Sequence, residues 1–225
     1  MSKGRLKWDR VGERKYQTGV SKGVLYPLAN GVYGAGVPWN GLTGVTESPS
    51  GAEATALYAD NIKYLSLMST EEFGGTIEAY MYPDEFGVCN GEQELAAGIV
   101  VTQQTRKPFG FSYQTILGND TDGDDHGYII HLVYNSMVQP SEKAYATKND
   151  SPEGMTLSWT FTSTPVDIEA KNSDGKAFKP TAHLEIDSTK CTPEQLAKIE
   201  DLIYGSADKE ATLPTPDEII ELLKN

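Results

Sequence analysis

The sequence predicts a mainly β fold (β+α): a two-sheet β-sandwich or barrel with a flanking short helix and a helical C-terminal extension. Three observations carry this expectation. Aromatic and hydroxyl side chains alternate from Thr156 to Thr162, turn residues divide the chain into short segments, and helix-start signatures are confined to the last forty residues. From Thr156, the residues Leu157, Trp159 and Phe161 alternate with Ser158, Thr160 and Thr162, which predicts a half-buried strand with its aromatic face inward. Phe111, Tyr113, Thr115 and Leu117 alternate with Ser112 and Gln114 in a second strand, and Ile77, Ala79 and Met81 with Glu78, Tyr80 and Tyr82 in a third. Residues 128–134 are apolar on both faces. Such a strand is either central to the sandwich or turns one face to another subunit. Ala54–Tyr58 and Ile62–Leu67 flank a short polar turn and read as a hairpin. Leu184 and Ile186 suggest a last strand.

Between these segments, residues 31–38 are too rich in Gly and Pro for a regular element, and Pro83–Glu94 has room for a short crossover helix. Near the C-terminus, Thr192-Pro193-Glu194-Gln195 is a capping box with Pro at the first helical position. Leu196, Ile199, Leu202 and Ile203 follow at helical spacing, and Gly205 stands where the helix ends. The signature repeats at Thr215-Pro216-Asp217-Glu218, ahead of Ile219, Ile220, Leu222 and Leu223. Helices this short are marginal alone, so each packs on the sandwich or on a neighbour. The expected organisation is a basic arm over residues 1–22, a β-sandwich over 23–187 and a helical extension over 188–225.

The chain has 225 residues and a formal charge of −13. That surplus argues against a fold whose whole surface grips nucleic acid. The length suffices for a core without disulfides or metals. Residues 1–22 hold seven basic and two acidic residues, so the remainder carries −18. A basic arm on an acidic body binds nucleic acid, binds another copy's body, or is simply a solvated terminus; composition does not choose among these. No apolar run approaches the ~20 residues that span a bilayer, and the N-terminus lacks the apolar stretch of a secretory signal. Cys89 and Cys191 make no framework and read as reduced thiols of a protein made in the cytosol.

Candidate chemistry is sparse. The acidic loop Asp120–Gly127 fails the calcium-loop pattern in both registers, with His131 or Val133 where Glu is required. Gly110-Phe111-Ser112-Tyr113-Gln114 is half a nucleophile elbow within a strand. The glycines at 31, 34 and 36 lack the dinucleotide spacing. His126, His131 and His183 are too scattered in sequence for a zinc pair, and His131 reads as a structural histidine. Nothing local activates Cys89, and Glu71 and Glu72 point apart as neighbours. The expectation is no catalytic residue, no metal, no cofactor and no enzyme activity.

An ordered set of segments carries a resemblance. Gly44-Val45-Thr46-Glu47-Ser48-Pro49-Ser50-Gly51-Ala52-Glu53-Ala54-Thr55 leads into Tyr58-Ala59-Asp60-Asn61-Ile62-Lys63-Tyr64-Leu65, then Gly75-Thr76-Ile77-Glu78-Ala79-Tyr80. His131–Asn135, Ser158–Val166 and Pro214–Ile220 follow. Together, from about residue 24 to the end, they resemble the major tail (tail tube) proteins of long-tailed bacteriophages of Gram-positive hosts. That resemblance implies a two-sheet sandwich shared with the tube protein of type VI secretion. It also implies six-membered rings stacked into a hollow tail tube that conducts the genome. The implied partners are further copies of the chain and the tape measure, distal tail and terminator proteins. Double-stranded DNA would pass without specific binding, and no membrane would be involved. The implied location is the virion tail, after synthesis and assembly in the host cytoplasm.

On that reading the expected inter-subunit residues are Arg5, Lys7, Arg10, Arg14 and Lys15 of the arm, Asp120, Asp122, Asp124 and Asp125 of the loop, and Ile129, His131 and Val133 of the two-faced strand. The alternative is a monomeric sandwich that binds cell-surface carbohydrate through Trp39 or the Tyr80/Tyr82 pair. A hydrolase using Cys89 or the acidic loop is a third reading.

Overall fold

The computed structural model describes residues 5–148, 150, 154–172 and 174–224. Its fold is mainly β, with two short α-helices at the end. The early strands are β1 (Lys15–Ala29), β2 (Val32–Tyr33), β3 (Val37–Trp39), β4 (Leu42–Glu47), β5 (Ser50–Gly51), β6 (Ala54–Ala59), β7 (Ile62–Met68) and β8 (Glu71–Glu72). They are followed by β9 (Gly74–Ala79), β10 (Gln93–Ala96), β11 (Ile99–Val101), β12 (Phe109–Asn119), β13 (Gly123–Val138), β14 (Leu157–Ser163) and β15 (His183–Asp187). Helices α1 (Pro193–Tyr204) and α2 (Pro216–Lys224) close the chain.

Nine strands form one hydrogen-bonded sheet, ordered β2-β1-β12-β13-β14-β9-β4, with β15 pairing β13 and β3 pairing β1. The expected pair of sheets is therefore one continuous sheet folded over on itself. The long strands make the fold. β13 spans both halves, pairing β15 through residues 129–133 and β14 through 136–138. Asn135, at φ 42°, marks the bend between these partners, and its N–H donates to the Tyr33 hydroxyl oxygen at 2.9 Å. β1 is bulged twice against β12, between Thr18 and Ser21 and between Ser21 and Val24, close to the left-handed Gly19 and Lys22.

Two cores lie on opposite faces of β1, β12 and β13. The first is aromatic: Trp39, Phe86, Phe109, Phe111, Trp159 and Phe161 pack with Leu25, Ile77, Val133 and Leu157. Trp39 meets Phe86 at 4.6 Å and Trp159 at 5.7 Å between ring centroids, in the tilted and edge-on arrangements that ring quadrupoles favour. The second core joins Val24, Tyr26, Ile130, Leu132, Tyr134 and Ile186 of the sheet to Ile199, Ile203, Leu213 and Ile219 of the C-terminal segment. β14 shows the expected alternation, with Leu157, Trp159 and Phe161 buried. β12 is buried on both faces instead of half-buried, because its second face lies beneath the helical segment, where Tyr26 reaches Ser112 and Tyr204 reaches Gln114.

Several expectations are corrected. The proposed boundary after residue 22 falls inside β1, which pairs β12 from Lys15 onward. Residues 31–38, expected to be irregular, contribute β2 and most of β3, with Pro38 where an outer strand tolerates it. The crossover helix expected in Pro83–Glu94 is a single 3-10 turn over Asp84–Phe86, which drives Phe86 into the aromatic core. Met81 lies beyond β9 and is exposed. Both capping boxes form: Thr192 with Gln195, and Thr215 with Glu218. The helices pack on the chain's own sheet, their apolar stripes covering the face of Ile130, Leu132 and Tyr134.

Candidate functional site

Self-association needs surface that the chain does not itself cover, and the clearest such surface is the β6–β7 hairpin. Asp60 and Asn61 both sit at positive φ, 51° and 63°, the two-residue turn whose twist suits a tight hairpin. Its strands pair with each other and with no other strand among the described residues. Seven large apolar side chains on it, Leu57, Tyr58, Ile62, Tyr64, Leu65, Leu67 and Met68, are 38–72% exposed. A two-stranded ribbon is marginal in water by itself, and this one displays apolar groups on both faces. The β10–β11 hairpin repeats the feature on a smaller scale, with Leu95, Ile99 and Val100 exposed. Sequence reasoning found the first hairpin and missed its exposure; apolar residues on both faces read equally well as a buried ribbon.

The expected arm and loop residues meet within one chain. Gly12 N donates to Asp120 Oδ1 at 2.9 Å, Asp120 N donates to the Arg14 carbonyl, and Arg14 Nη1 stands 3.8 Å from Asp120 Oδ2. Tyr16 donates its hydroxyl proton to Asp124 Oδ1 at 2.8 Å. Asp122 is held by Asn119 and His126, and these hydrogen bonds lower its pKa. Arg10 pairs with Glu13 at 3.5 Å. Arg5, Lys7, Lys15 and Asp125 are exposed. The contact imagined between copies is thus made in part by the chain with itself.

Ile129, His131 and Val133, expected at a subunit interface, are interior, at most 9% exposed. Both faces of this strand are covered by the same chain, so it needs no neighbour to bury them. The carbohydrate platform is not formed by the aromatics named for it. Trp39 is in the core with its indole N–H on the Met81 carbonyl, Tyr82 is half-buried against Glu92, and Tyr80 alone is exposed. Cys89 is fully buried, and burial pushes its thiol up to about 12, the opposite of an activated thiolate.

The histidines are less scattered than their numbers suggest. On the β13–β15 ladder His131 lies opposite Glu185, and His183 stands two residues along on the same face. His131 Nδ1 is 3.2 Å from His183 Nε2 and 3.8 Å from Glu185 Oε1. Glu47, the last residue of β4, completes the group, its Oε1 at 3.5 Å from His131 and 3.7 Å from His183. The signal was His-x-Glu at 183–185 with His131 on a long strand, but only the ladder register joins them. A cleft of about 1090 Å³ opens beside the cluster, lined by Glu47, His183, Phe73, Asp167 and Glu71 among others.

Among the described residues no helix is long and apolar enough to cross a membrane. Comparison with known families and curated proteins finds no family model and no curated protein that matches the chain.

Proposed function

We propose that the chain is a structural subunit that assembles into six-membered rings, and that the rings stack into a hollow phage tail tube for genome delivery. The exposed β6–β7 hairpin is the observation that carries this reading. A chain with two closed cores nonetheless extends an apolar ribbon whose outer edges are unpaired among the described residues, which is surface made for another polypeptide. We take the partner to be a second copy. A head-to-tail contact between this hairpin arm of one copy and the body of the next repeats around a ring and needs no further component. The outer edges of β4 and β15, unpaired among the described residues, offer strand borders on the body. The ordered resemblance to tail tube proteins supports the same reading. An acidic body, −18 beyond residue 22, suits a channel from which DNA phosphate is repelled.

Negative-stain electron microscopy of the concentrated protein tests the proposal. Rings or ring stacks of uniform width are expected. A chain that stays monomeric at high concentration, with tape measure and distal tail proteins added, overturns it. The exposed pair Tyr64→Asp and Leu67→Asp should abolish rings while leaving the circular dichroism spectrum unchanged; rings that survive both changes remove the arm from the explanation.

A further inference from the structure

We propose that Glu47, His131, His183 and Glu185 form a binding site for one divalent transition metal ion, zinc by preference. The site goes beyond the assembly reading and does not rest on it.

Geometry is the first ground. One donor atom from each residue lies within 4.8 Å of all the others, and four of the pairs stand at 3.2, 3.5, 3.7 and 3.8 Å. Zinc bonds of ~2.0–2.2 Å arranged as a tetrahedron put neighbouring ligand atoms ~3.3–3.6 Å apart. Shifts of a few tenths of an ångström therefore bring these atoms onto an ion. Three strands supply them, β4, β13 and β15, so the ion would tie the end strand of the sheet to its middle.

Proton bookkeeping is the second ground. At 3.2 Å, His131 Nδ1 and His183 Nε2 share one proton. Whichever ring carries it, the other ring's single lone pair accepts it, and Glu47 Oε1 stands 3.5 and 3.7 Å from these two nitrogens. A cation in place of that shared proton meets both nitrogen lone pairs and the carboxylate at once. An imidazole binds metal in its neutral form. A ring proton displaced by the ion moves to that ring's other nitrogen, and the two carboxylates balance the ion's two charges.

The surroundings are those of a held site. Thr115 Oγ1 stands 3.0 Å from His131 Nε2, placed to accept the N–H once Nδ1 is a ligand. Tyr113 donates a short hydrogen bond to Glu47 Oε1. The Tyr113 ring lies parallel to His131 at 4.5 Å, and Phe73 lies against His183 at 4.7 Å, which limits the turning of both imidazoles. The cleft wall formed by Glu47 and His183 gives an ion its route in. Two nitrogens and two oxygens in four-coordinate geometry favour zinc over the oxygen-seeking magnesium and calcium.

The experiment uses the full, tag-free chain, stripped with chelator and titrated with zinc chloride by calorimetry, with thermal melts alongside. One equivalent is expected, with a raised melting temperature, no effect of magnesium, and the visible absorption of a four-coordinate ion after cobalt loading. Glu185→Gln should weaken zinc binding at least tenfold, and His183→Ala should abolish it, both with wild-type circular dichroism. Stripped wild type that binds less than a tenth of an equivalent overturns the site. So does zinc binding of unchanged affinity in a folded His183→Ala, Glu185→Gln double variant, which would place the ion elsewhere.

Discussion

At the scale of single residues, Phe86 shows how much can hang on one side chain. It comes from a three-residue 3-10 turn, yet its ring touches Trp39, Tyr82, Phe109 and Trp159 at 4.6–5.8 Å. Phe86→Ala is expected to cost about 3–5 kcal/mol, a fall in melting temperature on the order of 10 °C for a chain of this length. A calorimetric melt checks it, and a fall under about 2 °C would mean that the aromatic core repacks freely. Three residues along, Cys89 has the same burial and the opposite chemistry from a nucleophile. With its thiol pushed up to about 12 it should resist iodoacetamide in the folded protein and react only in denaturant, while the partly exposed Cys191 reacts first. Rapid native labelling of Cys89 would return the thiol to consideration as a reactive group. Neither property was legible in the sequence, where Phe86 sat in a presumed crossover helix and Cys89 had no marked neighbours. Both depend on what the rest of the chain packs around them.

At the scale of elements, the sequence was most legible where one element met one environment. The β14 alternation, the Asp60-Asn61 turn and the two capping boxes are local, and each forms as the residues imply. Legibility failed where burial is set by distant segments. β12 reads as half-buried because Tyr204 of α1, which reaches Gln114, comes ninety residues later. β6 and β7 read only as a hairpin, because nothing in their pattern says which faces the rest of the chain covers. The histidine–carboxylate cluster needs a ladder register and the far end of β4 before it exists at all. The C-terminal segment, read as an extension, is the roof of the second core, and that distinction can be measured. Thr192→Ala removes one cap and should cost about 1 kcal/mol. Ending the chain after Asp187 uncovers Tyr26, Ile130, Leu132 and Tyr134 together and should give aggregated or molten protein. A truncated chain that stayed monomeric with a sharp melt would make the helices dispensable to the fold.

At the scale of the whole molecule, the question is which force would hold copies together. Fully burying a large apolar side chain contributes ~1.5–3 kcal/mol, so the seven on the arm have on the order of 10 kcal/mol to give. Ordering one subunit against another costs ~4–15 kcal/mol. A single arm contact is then close to balanced, whereas a subunit in a growing stack engages several neighbours at once and gains from each. On the proposed assembly, such a protein gathers only at high concentration or when something seeds it. Charge decides the sign of the salt effect. Had the basic arm bridged to another copy's acidic loop, added salt would dissolve the assembly. Arg14 and Tyr16 are instead committed to Asp120 and Asp124 of their own chain, and the bodies that approach one another are acidic. Salt then screens repulsion, shrinking its reach from ~30 Å at 0.01 M to ~8 Å at 0.15 M, while the apolar contact is left intact. Light scattering across that range should show assembly rising with ionic strength, together with no retention of double-stranded DNA at either end. Assembly that falls as salt is added would assign the contact to opposite charges and move the interface from the β6–β7 arm to the exposed Arg5, Lys7 and Lys15.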